Sequence, residues 1–466
     1  MSQPLTPQSA SRPEAVLSLY QECLPVPILH GLFHRLGQRF YQRLLPPVLV
    51  VWGFIFQRLN PDHTCDAAWS YLSSAVVRAQ FSLAPLIERD LSESNSAYCQ
   101  ARKRLPWAVV QGILATVARA IQARVGDRGL WQGLRVNLLD GSTLRLAASA
   151  ELTDHYGVAT NQYGPSHWPL LRLVVGFDLF SGVANGVTEG PYLTGEHTLA
   201  VQLIRRLGAG LLHVGDRNFG VYHVVQAMVT SHSDAVLRLK IRQAQKLAGG
   251  TPLRSGLDLD IVWSPSATDA CEPDLPTPAV VGRLIYVRVV RTGFRPVELY
   301  LFTTLLERAI FSVQELLSLY GQRWNVELDL RHVKTPLQME QLSGQSVDIV
   351  RKEVVLGLTA YSLLRGLMAV AAIQARRLPL DLSFAQCRRR ILEVWRNLPP
   401  APSAAEVAQA VARLMSRLGR CLLPKRTRER FEPRAVWGRP QVYPKIKGSR
   451  AQARAAWMEM LKNQKS

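Results

Sequence analysis

Two stretches of sequence decide the fold class of this chain: residues 134–143, LRVNLLDGST, and residues 211–220, LLHVGDRNFG. Each begins with a short apolar run that is followed by an aspartate and then by turn-forming residues, a pattern typical of a buried strand that ends at the aspartate. The two aspartates are Asp140 and Asp216. Because open α/β sheets place ligands and catalytic groups at the carboxyl ends of buried strands, we predict that both side chains leave the edge of one sheet.

The sequence around these stretches alternates between strand and helix patterns. Residues 168–180 and 182–190 have the pattern of paired strands, and a helix is predicted over 197–210. After the second aspartate the pattern predicts a helix over 219–231 and a strand over 235–241. This order of elements predicts an α/β core with a mixed sheet.

The remaining segments are organised around that core. Apolar residues at helical spacing dominate before and after it, and a Gly- and Pro-rich segment with strand-like alternation interrupts it. The predicted order is a disordered N-terminus (1–14), a helical domain (15–128), the first part of the core (129–241), a β-rich insertion (242–303), a helix with the closing helices of the core (304–420) and a basic C-terminal tail (421–466).

The charge of the chain points to a polyanionic partner. It has 56 Lys and Arg residues against 35 Asp and Glu residues, and the net charge of +21 most simply indicates nucleic acid. The hydrophobic fraction of 47% is enough for a real core and argues against disorder and fibres. The six cysteines are scattered without zinc spacing, which is typical of a reducing compartment and predicts a cytoplasmic protein.

We expect no membrane partner. The N-terminus lacks the apolar segment of a signal peptide. The apolar run at 354–373 is long enough to span a bilayer, but Arg365 lies at its middle and basic residues flank both of its ends. We therefore predict a helix buried in a large core, in which Arg365 finds an internal partner or the surface.

A third carboxylate stands out on the helix predicted over 319–335, LYGQRWNVELDLRHVKT. Five of its residues fall within about 40° of one line along the helix, at 100° per residue. They are Tyr320, Arg323, Glu327, Arg331 and Lys334. Together with the two aspartates, Glu327 could hold two divalent ions about 4 Å apart, while the neighbouring cations hold a phosphodiester backbone. The alternative is an exposed helix stabilised by an ion pair between Glu327 and Arg331.

Two other basic features are candidates for DNA contacts. Residues 91–106, LSESNSAYCQARKRLP, predict a short helix carrying Arg102 and Lys103, which is a plausible recognition helix. A solvated basic helix face explains the same pattern equally well. Arg217, next to Asp216, either reaches phosphate or neutralises the acidic pocket when no metal is bound.

These motifs resemble the bacterial insertion-sequence transposases of the IS-four group. Tyr320, Arg323, Glu327 and Lys334 stand at the spacing Y-x2-R-x3-E-x6-K, which is similar to the signature of that group. The DGST motif at Asp140 resembles the first catalytic Asp motif of the group, and the GDRNFG motif resembles the second. The resemblance covers most of the chain and includes the β-rich insertion and the N-terminal DNA-binding segment.

The resemblance implies an RNase H-like core with a DDE triad. In such a core Asp140, Asp216 and Glu327 bind two Mg²⁺ ions, for which Mn²⁺ can substitute. The matching signature residues, Tyr320, Arg323 and Lys334, are then expected to contact phosphate near the transposon end.

Some members of the group flip a base onto a Trp in the last strand of the insertion. Tyr300 stands at the matching place, and an aromatic ring there could stack such a base. The other aromatic candidate of the insertion, Trp263, is predicted to be a core residue of its strand.

The motifs together predict a DNA transposase associated with the bacterial nucleoid. We expect it to bind the terminal inverted repeats of its element, to cleave the ends and to join the 3′-OH to target DNA as a homodimer in a synaptic complex. Two alternatives stay open: an inactive or architectural basic DNA-binding protein that retains the scaffold, and a nuclease of the same fold without strand transfer.

Overall fold

The fold is described from a computed structural model. It describes residues 26–37, 45–74, 93–162, 164–266, 278–290, 296–397, 403–424 and 449–463. The predicted disordered segment 1–14 and most of the predicted basic tail lie outside these residues. Two compact units are distinguished: the first contains residues 1–288 and 298–425, and the second contains residues 289–297 and 426–466. Among the described residues, the second unit has one helix, α15 (Arg450–Asn463).

The described N-terminal part of the chain is helical, as predicted. Pro47 begins one of its helices, because a missing N–H costs nothing in the first turn, and Thr64 caps another through a hydrogen bond from the Ala67 amide. The helices are α1 (Val26–Arg35), α2 (Pro47–Leu59), α3 (Cys65–Ser73), α4 (Ser96–Arg104) and α5 (Trp107–Val125).

A mixed sheet follows and confirms the predicted α/β class. Within the described residues ten strands form this sheet in the order β3-β4-β2-β6-β7-β10-β9-β8, with β1 on β2 and β5 on β4. The strands are β1 (Leu130–Trp131), β2 (Leu134–Arg145), β3 (Val158–Asn161), β4 (Gly164–Asp178), β5 (Ala184–Pro191), β6 (Leu211–Gly215), β7 (Asp234–Arg238), β8 (Leu257–Trp263), β9 (Val280–Val289) and β10 (Val297–Thr303). β2, β6 and β7 are parallel neighbours, whereas β4 and β10 pair antiparallel with β2 and β7.

Helices cover both faces of the sheet because its strands alternate apolar side chains between two cores. Leu138 contributes to the first core, together with helix α5, whereas Leu139 contributes to the second. The second core contains helices α7 (Glu196–Leu207) and α8 (Tyr222–Thr230), and the short helix α6 (Ala150–Tyr156) packs in the first. The side chain of Asp140 has the parity of Leu138 and therefore points toward the first core.

The strand that carries Asp140 is longer than predicted. Asp140 does not end β2, which continues to Arg145 because the long strand β4 pairs with it as far as Leu170. The parallel pairing with β6 stops at Leu138 and Val214. Asp140 therefore lies just beyond the parallel part of the pair, while Asp216 directly follows β6, as predicted.

The insertion begins with a helix rather than with a strand. α9 (Ile241–Leu247) precedes β8 and β9, which extend the same sheet. Arg283 on β9 is fully buried and donates to the carbonyl oxygens of Leu305, at 3.0 Å, and Phe311, at 2.8 Å. It thereby fixes the segment that leads from the insertion into the next helix.

The helix predicted over 319–335 is two helices, α10 (Val313–Gly321) and α11 (Trp324–Lys334). At the break, Gln322 and Arg323 donate to carbonyl oxygens three residues earlier, at 3.0 Å each. Such bonds tighten the backbone to a 3₁₀-type turn. The predicted stripe is therefore interrupted between Tyr320 and Arg323.

A long helix, α12 (Val347–Gln374), crosses the first core and is followed by α13 (Phe384–Asn397) and α14 (Ala404–Leu418). α12 is long and apolar enough to span a membrane, but 94% of its most apolar window is buried within the protein. Arg365 lies inside, as predicted, and its Nε donates to the Ser181 carbonyl oxygen at 2.8 Å.

Candidate active site

The two aspartates are held by backbone amides next to them. Asp140 Oδ1 accepts from the Gly141 amide at 3.0 Å, and Asp216 Oδ1 accepts from the Asn218 amide at 2.8 Å. A glycine is required at position 141 because of a close side-chain contact and not because the chain turns there. A Cβ there would stand 2.7 Å from the carboxyl carbon of Glu196, which approaches from the other face of the sheet.

Glu327 lies in the first turn of α11, where its carboxylate is about one-third exposed. Arg323 Nη2 donates to Glu327 Oε1 at 2.7 Å. This ion pair differs from the alternative derived from the sequence, in which Arg331 was the partner. Arg331 is exposed on the last turn of the same helix.

Asp216 and Glu327 are close enough to Asp140 to act on it electrostatically. Burial raises the pKa of Asp140 to about 7, and the Gly141 amide opposes this shift. The carboxylates of Asp216 and Glu327 raise the pKa of Asp140 further, while Arg323 lowers it. Two carboxylates that disfavour the charged form of a third make an environment that attracts a cation.

Tyr320 and Lys334 flank the carboxylates. Burial raises the pKa of Tyr320, and both Arg323 and Asp216 act on its phenol. Burial lowers the pKa of Lys334, and the charges of Glu340 and, to a smaller extent, Asp140 oppose that shift. Both residues thus lie within electrostatic reach of the aspartates, while Arg217 is exposed beside the second aspartate.

The prediction that Arg102 contacts DNA is wrong. Its guanidinium is buried, with Nη2 2.6 Å from Glu353 Oε1, and it lies 4.3 Å from the centroid of the Phe54 ring. It therefore stabilises the junction of α4 with α12 and is not exposed to DNA. Lys103, the next residue, is exposed.

The prediction that Tyr300 stacks a flipped base is also wrong. Its ring is only 7% exposed and stacks on Tyr286 with a centroid distance of 4.7 Å and an angle of 8°. Its hydroxyl donates to Glu298 Oε2 at 3.0 Å. A flipped base cannot stack on a ring that is already covered in this way. Trp263 is a buried core residue, as predicted.

Three residues of the site escaped the sequence analysis. Trp324, the first residue of α11, is 56% exposed, and exposed aromatic rings are platforms on which bases stack. On the buried side of the same helix, the Tyr361 hydroxyl donates to Asp329 Oδ1 at 2.7 Å. Burial raises the pKa of Asp329 to about 6. This contact fixes the rotation of α11 and hence the direction of Glu327.

A buried polar chain joins the two strands that carry the aspartates. Asn137 on β2 and His213 on β6 are register partners, and Asn137 Nδ2 lies 3.0 Å from His213 Nδ1. Asn185 Nδ2 donates to Asn137 Oδ1 at 2.7 Å, and Gln122 Nε2 donates to Asn185 Oδ1 at 2.8 Å. Burial lowers the pKa of His213 to about 3, so the imidazole is neutral.

The donor set fits a divalent cation. Asp140, Asp216 and Glu327 offer only oxygen ligands, which Mg²⁺ and Mn²⁺ prefer, and the other two carboxylates disfavour the charged form of Asp140. Within the described residues no group of three or more His, Cys, Asp or Glu side chains stands at metal-ligand distances. The ion pair between Arg323 and Glu327 accounts for part of this, because it holds Glu327 on its own helix.

A mixed sheet with one aspartate on β2, a second directly after β6 and a glutamate on α11, beside arginine and lysine, is the arrangement of an RNase H-like domain. The family described as "Transposase DDE domain" matches residues 131–363, a range that contains all three carboxylates. The chain belongs to this family and is an IS4-type DDE transposase.

Three proteins to which this chain is similar carry the word transposase in their names. The transposase InsG of insertion sequence element IS4 from Escherichia coli K12 is 26% identical over 358 residues, which cover 75% of this chain and 78% of that protein. The putative transposase InsZ of the same strain is 29% identical over 220 residues, covering 44% and 66%. A piggyBac transposase synaptic complex with hairpin DNA, solved by cryo-electron microscopy, is 9% identical with a TM-score of 0.42, covering 89% and 88%.

Proposed function

We propose that this transposase cleaves DNA at the terminal inverted repeats of its own insertion sequence and joins the freed 3′-OH to target DNA. The observation that carries the proposal is the electrostatic action of Asp216 and Glu327 on the buried carboxyl group of Asp140, beside Arg323 and Lys334. Both reactions are in-line phosphoryl transfers, which three carboxylates and neighbouring cations are suited to catalyse.

The three carboxylates are proposed to hold two Mg²⁺ ions, or Mn²⁺ ions in their place. Bound ions supply an activated water or 3′-hydroxyl and stabilise the charge of the leaving oxygen. The residues of the chain do the rest. Arg323 releases Glu327 and pairs with phosphate, because a guanidinium binds phosphate through two parallel hydrogen bonds. Asp140 must be deprotonated to act as a metal ligand, and a nearby cation favours the deprotonated form.

The cations around the triad are proposed to hold the DNA backbone. Lys334 and Tyr320 lie beside the carboxylates, while Arg331 and Arg217 are exposed around them. Lys103, exposed on α4, is proposed to contact DNA away from the cleaved phosphate. Double-stranded DNA and a second copy of the chain in a synaptic complex are thus the proposed partners, and the bacterial nucleoid is the proposed location.

Nicking of a supercoiled plasmid tests the proposal. The plasmid carries the inverted repeats that flank the gene, and nicking is measured with Mg²⁺, with Mn²⁺ and with a chelator. We expect Asp216→Ala to abolish nicking. Asp154→Ala, which removes an exposed carboxylate on α6, is the matched control and is expected to nick normally.

The same assay separates the two alternatives. Full activity of Asp216→Ala with Mg²⁺ would refute the triad, and binding without nicking by the unaltered protein would indicate an architectural protein. Nicked ends that never join a target plasmid would indicate a nuclease without strand transfer. Joined products with a Mg²⁺ requirement are the result that we expect.

A further inference from the structure

A groove of about 450 Å³ lies beside α11, and of the side chains that line it only Lys334 has been placed at the catalytic site. It is bounded by the end of β2, the last turn of α11 and the segment that follows α11. The side chains that line it and matter here are Arg145, Lys334, Gln338, Glu340, Gln341 and Ser343.

The segment after α11 presents its polar side chains outward in a regular way. Leu337, Met339 and Leu342 are at most 1% exposed and anchor the segment in the first core. The polar residues next to these anchors, Gln338, Glu340, Gln341 and Ser343, are all exposed. Four exposed polar side chains on a segment tied down by apolar anchors make a surface suited to a hydrated, polar ligand.

The backbone of the segment is fixed from both sides, so the groove is preformed. Arg145 donates its amide to the Glu340 carbonyl oxygen, and its own carbonyl oxygen accepts from the Leu342 amide, both at 2.9 Å. The Gly344 amide donates to the buried carboxylate of Glu353 at 3.2 Å. Gln338 has a φ of 49°, which a non-glycine residue adopts only where the surroundings impose it.

The charge in the groove is exchangeable. Arg145 Nη2 lies 3.7 Å from Glu340 Oε1, and the two side chains are 48% and 62% exposed. An exposed pair at this distance contributes little to stability. A phosphate, with which arginine forms shorter and stronger bonds, can therefore replace Glu340 as the partner of Arg145.

The position of the groove fixes which part of the DNA it can meet. Arg145 is five residues beyond Asp140 on β2, or roughly 17 Å at 3.4 Å per residue. Lys334 is seven residues beyond Glu327 on α11, or roughly 10 Å at 1.5 Å per residue. At about 3.4 Å of helix axis per base pair, these lengths correspond to roughly three to five base pairs.

We propose that this groove binds the backbone of the duplex about three to five base pairs from the cleaved phosphate, with Arg145 exchanging Glu340 for a DNA phosphate. The proposal rests on the proposed function, because it takes the triad as the point of cleavage. It assigns Arg145 to DNA binding and gives Glu340 the opposite effect, that of a carboxylate that competes with phosphate.

Binding of a labelled duplex that carries the flanking inverted repeat tests the groove, with the dissociation constant measured over a range of salt concentrations. We expect Arg145→Gln to weaken binding about five- to tenfold and to reduce the salt slope by about one phosphate contact. We expect Glu340→Gln to tighten binding by about two- to fivefold, because it removes the competing charge. Arg119→Gln, which removes an exposed arginine on α5, is the matched control and should change neither quantity.

Neutral methylphosphonates placed singly along the duplex locate the contact. They should weaken binding of the unaltered protein at three to five base pairs from the cleaved bond and have no further effect on Arg145→Gln. An unchanged salt slope in Arg145→Gln, or weakened binding in Glu340→Gln, would overturn the proposal. Plasmid nicking by the unaltered protein is measured in parallel, so that failure of the groove and failure of the cleavage proposal give different results.

Discussion

Replacing His213 with asparagine should make the free energy of unfolding less sensitive to acid. Burial lowers the pKa of His213 to about 3, from an ordinary value of 6.5. The folded protein therefore keeps the imidazole neutral, while the unfolded chain takes up a proton below pH 6.5. The stability that the neutral imidazole provides is present above pH 6.5 and is lost as the pH falls toward 3.

The size of the effect follows from the two pKa values. At pH 5 the unfolded chain gains about 2 kcal/mol from protonating this one group, since each pH unit below 6.5 contributes about 1.4 kcal/mol. In His213→Asn the side-chain oxygen can still accept from Asn137, whose amide donates to His213 Nδ1 in the unaltered protein. The cavity left by the smaller side chain lowers stability equally at every pH.

Urea unfolding at pH 7.5 and at pH 5 measures this difference. The free energy of unfolding of the unaltered protein, minus that of His213→Asn, should fall by about 2 kcal/mol between the two pH values. His155→Asn, made at an exposed position, is the matched control for removing one imidazole. A difference that is the same at both pH values would show that His213 is hydrated or charged in the folded protein, and would refute the reasoning.

Three further substitutions test contacts around the site. Tyr361→Phe should cost about 1.5–3 kcal/mol in urea unfolding, because it leaves the buried Asp329 carboxylate without its donor, and should slow plasmid nicking; unchanged nicking would show that this contact does not position α11. Gly220→Ala should cost about 1–3 kcal/mol, since its Cβ would lie 2.3 Å from the Arg238 carbonyl oxygen, and an unchanged thermal midpoint would contradict this. Glu353→Gln should cost about 3–5 kcal/mol, because it leaves two buried arginines without their carboxylate, and a loss below 1 kcal/mol in urea unfolding would contradict this.

The sequence predicted those features of the site that depend on local pattern. Asp216 follows a short apolar strand whose neighbours are both buried, so its position could be derived from that strand alone. The end of β2 could not, because it depends on the partner strand β4, which pairs beyond Asp140. The break before α11 depends on tight backbone bonds at Arg323 that leave no mark on the spacing of apolar residues.

Contacts between residues far apart in the chain could not be predicted from the sequence. Arg102 has the spacing of an exposed basic helix, but its partner Glu353 lies 251 residues away and draws it inside. Tyr300 is covered by Tyr286 from the neighbouring strand. Gly141 looked like a turn residue, whereas the carboxylate of Glu196 on the other face of the sheet explains it. In each case the deciding atom belongs to another element.

The pairing of β10 with β7 makes the insertion an exchangeable cassette. The cassette begins after Arg238 and ends on the strand in which Leu301 pairs with that same residue, so both of its ends are fixed at one point of the sheet. Asp216 and Glu327 are 111 residues apart in sequence, and this number therefore does not indicate how far apart they lie in space. A cassette of twice the length would cost only about 0.6 kcal/mol in loop closure. It need only supply a strand for β7 and a side chain that replaces Arg283 at the entrance to α10.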